Sequence, residues 1–363
     1  MKKLLGVLAL LAGLGVCANT AVAAPAANLE EMKPIELRLA SAWPPPDVSL
    51  ITTGHQMWMD EVTKRTNGKV TFKAYWGGAM GKAPEHLSLL EKGMVDLVSA
   101  NSHYTPGKLP LGQFEYVFPF GPCDSAIVTK AKRQLISEFP QFADDLAKYN
   151  AVSIMITPGT VYQFLAKEPA AGVADLKGRK VGCIGRYFGR WMEPIGMVPV
   201  VSPAQERYTM LQTGVIDVDL HPIDLHASFK LIEQAKYLIR IDALQANFGD
   251  LWISKKTLDS LPPDVQQIML DAGRDVEWQV ATEVLPAWEK KVMEQFDAAS
   301  VQQPTLPADE RAAWAAQIPD IPAEWAKEVS DMGYPGWEIV KRWQELTTEY
   351  GYEWPRQWGV KPE

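Results

Sequence analysis

The chain has 363 residues, with 44 acidic side chains against 36 basic ones and a formal net charge of −8. That balance argues against nucleic acid as a partner, which calls for a basic face. Residues Met1 to about Ala23 read as a signal peptide (residues 1–23): Lys2-Lys3, the apolar run LLGVLALLAGLGV, then Ala21-Val22-Ala23. The apolar run is shorter than the ~20 residues needed to span a bilayer, and Val16 before Cys17 fits a lipoprotein cleavage site poorly. Loss of the leader removes two lysines and no acid, so the mature chain is more acidic still. The roughly 340 residues that remain exceed the size at which one hydrophobic core stops growing, which predicts two domains with a cleft between them.

Along the mature chain, Ile35-Glu36-Leu37-Arg38-Leu39-Ala40 alternates as a strand, and Val48 to Asn67 carries apolar residues at helical spacing up to the stop signal Thr66-Asn67-Gly68. Val70 to Tyr75 alternates again, a helix is predicted over Ala83 to Lys92, and Val95 to Ser99 reads as a buried strand. Strands alternating with helices predict an α/β sheet. Val152 to Thr157 and Tyr162 to Ala166 read as strands crossing toward a second lobe. From Pro262-Pro263 a helical pattern continues through Val265, Met269, Val276, Val280, Val284, Trp288, Val292 and Phe296, with Pro286 inside it, where a kink is expected. The segment from Tyr334 to Trp358 concentrates Trp337, Trp343, Trp354 and Trp358, either as cover for a core or as a dimer contact.

An enzyme would need a nucleophile beside a base or a metal site. The histidines His55, His86, His103, His221 and His226 contain no HExxH pair, and there is no GxSxG elbow or Walker loop. We therefore expect no enzymatic activity, no cofactor and no metal. Gly182, Gly185 and Gly189 follow a strand without GxGxxG spacing and read instead as backbone approach and free space around a ligand. Cys123 and Cys183 are either a disulfide or two buried thiols.

The stretch Asp175 to Pro222, with DLKG, a short strand and LQTGVID, resembles the extracytoplasmic solute-binding proteins of tripartite ATP-independent periplasmic (TRAP) transporters. The segments IELRLASAWPPPD, TNGKVTFKAYWGGAMGKAPEHLSLLEKGMVDLVSA and LWISKKTLDSLPPDVQQIML resemble the same family in the same order. The resemblance implies a two-lobed α/β periplasmic-binding-protein-like fold with a long helix spanning both lobes. It implies one lobe over residues 36–160 and 248–288, the other over 161–247 and 289–333, and an aromatic extension over 334–363. It further implies hinge closure on a small polar organic solute in the periplasm, with TRAP membrane subunits as partners, the protein being a monomer or a homodimer.

In that family a strand-end arginine usually pairs with the ligand carboxylate; here that position is Gly182, and the usual helix-capping Asn is His221. The expected ligand-binding set is Trp43, Asn101, Tyr104, Tyr162, Arg186, His221, Phe248 and Asp250, with Arg186 as the displaced guanidinium holding an organic acid. A second reading, prompted by Gly182, is an amine or amino alcohol held by Asp219, Asp224 or Asp250 with Trp43 and Phe248. A third, of a different class, is a secreted interaction module that docks a partner through its aromatic tail.

Overall fold

The structure is a computed structural model that describes Leu29 and residues 31–247 and 249–361. The expected signal peptide, Cys17 and Phe248 lie outside the described residues.

Alternating apolar residues build two sheets. The first contains β1 (Ile35–Ser41), β2 (Val70–Tyr75), β3 (Leu97–Ala100), β4 (Ala151–Met155) and β11 (Asp250–Ser254), in the order β2-β1-β3-β11-β4. Strands β2, β1 and β3 run parallel, and β11 is antiparallel to both β3 and β4. The second contains β5 (Pro158–Ala166), β6 (Lys180–Cys183), β7 (Val198–Val201), β8 (Val218–Pro222), β9 (Tyr237–Ile239) and β10 (Gln245–Asn247). Its order is β10-β5-β8-β6-β7, with β9 also paired to β5. The chain therefore crosses from the first sheet to the second between Met155 and Pro158 and returns between Asn247 and Asp250.

Local signals account for the first element boundaries. The helix Leu50–Arg65 ends where Asn67 (φ 50°) and Gly68 (φ 76°) enter the left-handed region, a conformation open to glycine and tolerated by asparagine. The helix expected over Ala83 to Lys92 is a 3₁₀ turn, Ala83–Glu85, followed by the helix His86–Glu91.

The long helical run goes from Pro263 to Ala298, in three parts. Pro263–Gln279 and Leu285–Ala298 are α-helical, and Val280–Val284 between them is a π-turn. The expected break at Pro286 is thus a widened turn just ahead of the proline; such a turn relieves the clash between the ring and the carbonyl four residues back. The first half packs Val265, Met269, Ala272, Val276 and Val280 against Leu37, Leu39 and Ile253 of the first sheet. The second half packs Val292 and Phe296 with Leu165, Leu211 and Leu238 in the second lobe. One helical element therefore spans both lobes.

Three further helices, Ala308–Gln317, Ile321–Asp331 and Gly336–Glu349, bind across the junction. Trp314 donates to the Trp191 carbonyl at 2.7 Å in the second lobe, while Trp325 donates to the Pro110 carbonyl at 3.1 Å in the first. The Trp343 ring meets Phe114 edge-on at 5.1 Å, and Trp354 lies 5.4 Å from Phe118. Trp343 and Trp358 are 2% and 1% exposed. Of the tail's tryptophans, Trp343 and Trp358 are thus part of the core, while Trp337 and Trp354 are half-buried at the surface. Cys123 and Cys183 are free thiols, and burial raises the Cys183 thiol to about 11.

Candidate ligand-binding site

The lobes meet at a cluster of aromatic and polar side chains. From the first, the turn after β3 brings Asn101, His103 and Tyr104, and the 3₁₀ helix Leu111–Val117 adds Tyr116. The Asn101 side chain accepts from the His103 backbone N–H at 2.9 Å, an Asx-type turn that sets the direction of both His103 and Tyr104. From the second lobe come Tyr162 on β5 and Phe188 in the helix Phe188–Met192. Phe188 lies 5.0 Å from the Tyr162 ring, 5.7 Å from Tyr116 and 6.3 Å from His103, so one ring touches side chains from both lobes. Gly185 approaches the same histidine: a Cβ there would sit 3.7 Å from His103 Cδ2.

Behind this aromatic layer is a buried charge cluster built on Asp219 of β8. Arg207, at the start of the helix Arg207–Gln212, donates from Nη1 to Asp219 Oδ1 at 3.0 Å, and both side chains are 0% exposed. Its Nη2 donates to the carbonyls of Ser202, at 2.8 Å, and Cys183. His221 Nδ1 stands 2.7 Å from Asp219 Oδ2, and His226 Nε2 stands 3.2 Å from the same oxygen. An ionised carboxylate only accepts, so His221 carries its proton on Nδ1 and turns a bare Nε2 away from Asp219. Burial alone would raise the Asp219 carboxyl, but His221, His226 and Arg207 together hold it well below the usual carboxylate range. Burial pushes the His221 imidazole down from its ordinary value, against the pull of Asp219, so it is neutral at pH 7. The Tyr104 hydroxyl is pushed up to about 12 by burial, against the charge of Arg207, and remains a neutral donor.

Gly182 explains how Arg207 fits. It pairs with Asp219 across β6 and β8, and a Cβ on residue 182 would fall inside Arg207 Nη1, 3.0 Å from its Cζ and 2.8 Å from Ile216 Cδ1. The absent side chain on β6 is thus replaced in space by a guanidinium from a helix 25 residues further along the chain. Arg207 was not among the expected residues. ERYTMLQ reads as an ordinary amphipathic helix, and the available signal was the pairing of a glycine at 182 with an arginine later in the same lobe.

Of the expected set, Asn101, Tyr104, Tyr162 and His221 are brought together here. Arg186 is not: it is exposed at the surface, where it pairs with Glu328 and Tyr187. The expectation that it replaces the strand-end arginine is corrected, because Gly185 (φ 64°) turns the chain so that residue 186 leaves the cleft. Asp250 accepts from the Thr157 backbone N–H at 3.1 Å and lies 3.6 Å from Lys132, lining a separate cavity of about 350 Å³ with Phe114, Phe142 and Trp252.

Trp43 is buried beside Gly249, whose φ is +88°. A Cβ on Gly249 would meet Ile51 Cγ2 at 2.6 Å and Trp43 Nε1 at 3.0 Å, and the Gly249 carbonyl accepts from His55 Nε2 at 2.9 Å. Gly249→Ala is therefore expected to lose about 1–3 kcal/mol in urea unfolding, through overpacking and left-handed strain together. A loss under about 0.5 kcal/mol would mean that this turn has room to relax.

The carboxylates that an amine site would need are already engaged. Asp219 is held by Arg207, Asp224 accepts from Thr160 Oγ1 at 2.6 Å, and Asp250 is held as described. Among the described residues no group of three His, Cys, Asp or Glu side chains is placed to hold a metal ion, and no helix is long and apolar enough to cross a membrane.

Comparison with known proteins agrees with this architecture. A TRAP solute-binding protein from Rhodoferax ferrireducens, in complex with copurified benzoate, superposes with a TM-score of 0.77 at 22% identity, covering 87% of this chain and 98% of that one. DctP7, a Bordetella pertussis extracytoplasmic solute receptor binding pyroglutamic acid, gives 0.72 at 23% identity, covering 85% and 99%. In sequence, a solute-binding protein from Albidiferax ferrireducens is 25% identical over 60% of this chain, and the match spans 64% of that relative's length. The C4-dicarboxylate-binding periplasmic protein DctP of Rhodobacter capsulatus is 27% identical over 73% of this chain and 79% of its own. The family model described as bacterial extracellular solute-binding protein, family 7, matches residues 39–328, and the chain belongs to that family.

Proposed function

We propose that this protein captures a small organic acid between its two lobes outside the cytoplasm and passes it to TRAP-type membrane subunits, as a binding protein and not an enzyme. The observation that carries the reading is the guanidinium of Arg207 filling the space over Gly182, directly behind His221 and beside Tyr104. This places a guanidinium, paired with Asp219, at the strand-end position where the family has its carboxylate-binding arginine, although the residue arrives from another element. The junction is polar as well as aromatic, with Tyr162 and Asn101 each hydrogen-bonded to Tyr116 and with Tyr104 and His221 beside them, a lining that suits a small polar ligand. The closure that buries them would follow from hinge movement at the two sheet crossings, the lobes being residues 36–160 with 248–288 and 161–247 with 289–333.

Thermal unfolding of the mature protein against benzoate, pyroglutamate, C4-dicarboxylates, amines and amino alcohols tests this reading. An acid at about 100 times its dissociation constant is expected to stabilise by about 2.7 kcal/mol. A shift with amines only, or with no solute at all, would overturn it.

A further inference from the structure

The charge balance around His221 bears on which acids the site can take and with how many protons, given that it takes a small acid at all. Arg207 and Asp219 face each other at 3.0 Å with neither exposed, so the guanidinium is already neutralised by the protein. The titratable groups around His221 are Asp219 on its own strand, Arg207 from the helix below, His226 from the helix after β8 and His103 from the opposite lobe. Further out, Lys132 faces His103 but is itself held by Glu115 at 2.7 Å and Asp250 at 3.6 Å. With His221 and His103 neutral the Arg207–Asp219 pair has no net charge, and the buried Asp224 beside His226 and Tyr162 adds no cation. A carboxylate buried against this cluster would be an uncompensated anion, a situation that buried groups resolve by changing protonation.

His221 is the group built to respond. Its Nδ1 proton is committed to Asp219, and its Nε2 is buried without a hydrogen-bond partner among the described residues. A proton added at Nε2 would give the imidazolium a second donor on the side away from Nδ1, with Asp219 stabilising the charge. We propose that the site takes a monocarboxylate together with one proton from solvent, which His221 Nε2 receives and donates in a hydrogen bond to the ligand carboxylate; this rests on the small-acid reading under Proposed function. No covalent bond other than that N–H is made. One proton balances one carboxylate, so a dicarboxylate would bring a second charge with no partner. The asparagine that the family carries at this position has no titrating group, so the coupling belongs to this chain's histidine.

Isothermal titration calorimetry with benzoate and pyroglutamate at pH 7, in phosphate and in Tris, counts the protons through the different ionisation heats of the two buffers. The expected result is uptake of about one proton per acid bound, with affinity falling about tenfold per pH unit between pH 7 and 8.5, as linkage requires. Succinate is expected to bind at least about tenfold more weakly. In His221→Asn the uptake should vanish and the pH slope should flatten. Acid binding with no proton uptake by the wild type would overturn the proposal while leaving the small-acid reading intact. Uptake that persists in His221→Asn would overturn the role of His221, and no binding of either acid or of succinate between pH 5.5 and 8.5 would overturn both.

Discussion

Arg207→Met is expected to destabilise the folded protein by about 3–5 kcal/mol, because it leaves the Asp219 carboxylate buried with only the His221 and His226 rings against it. The guanidinium also holds the Ser202 and Cys183 carbonyls, so the strand end of β6 loses its tie to the helix Arg207–Gln212. Urea unfolding at pH 7 measures the loss. The double variant Arg207→Met, Asp219→Asn should recover a large part of it, since removing both charges avoids the unpaired ion, and the cycle should return a coupling of at least ~1 kcal/mol. Additive single losses would show that the pair is not the unit described. Gly182→Ala probes the same space from the other strand: its Cβ would fall on Arg207 Nη1, so Arg207 must move or β6 must shift. Combining Gly182→Arg with Arg207→Ala puts the guanidinium back on the strand end, and it should restore more stability than Arg207→Ala alone.

The way these residues meet explains what could be read in advance. Local pattern was legible wherever one element carried its own signal. Ile35–Ser41, Leu50–Arg65 and Val70–Tyr75 fall where alternation, helical spacing and the Asn-Gly stop place them. His221 and Tyr162 were expected from positions in the family resemblance, and the structure places them on adjacent strands at the junction. Arg207 was not, because its role depends on a glycine 25 positions earlier lying one strand away, and spacing along a helix carries no trace of that contact. Arg186 shows the converse: closeness in sequence to the strand end is not closeness in space, and the left-handed Gly185 lies between the two. Tyr116 and Phe188 were missed because an aromatic residue in an apolar run reads as core until the facing lobe is known. The π-turn before Pro286 shows the same limit, since the sequence contains the proline but not the choice between a break and a widened turn.

Acid should weaken the fold from about pH 6.5 downward. His55 is fully buried, with Nε2 between the Gly249 carbonyl at 2.9 Å and Thr157 Oγ1 at 3.1 Å, and burial lowers its imidazole from 6.5 to about 4. In the unfolded chain the same imidazole takes up its proton near pH 6.5. As pH falls below that value the unfolded state binds the extra proton first, so stability is lost from about pH 6.5 down to about pH 4 and is fully present above. Between pH 7 and 4.5 this one group is worth about 2 kcal/mol. His86, His103 and His221 are lowered by burial too, and their contributions have the same sign. Glu289 acts the other way: burial and the nearby Asp224 raise its carboxyl to about 7, so its protonation favours the folded state as pH falls toward its ordinary value of 4.5. Burial raises the Asp224 and Glu277 carboxyls as well, so they act with Glu289; set against four lowered histidines and the depressed Asp219, the net expectation is a fall in urea-unfolding free energy from pH 7 to 4.5. His55→Gln should flatten that fall by about 2 kcal/mol, whatever the variant does to stability at pH 7. An unchanged slope in His55→Gln would mean that the His55 imidazole is solvated or already charged in the folded protein, and the junction around Gly249, Trp43 and Thr157 would then be open to water.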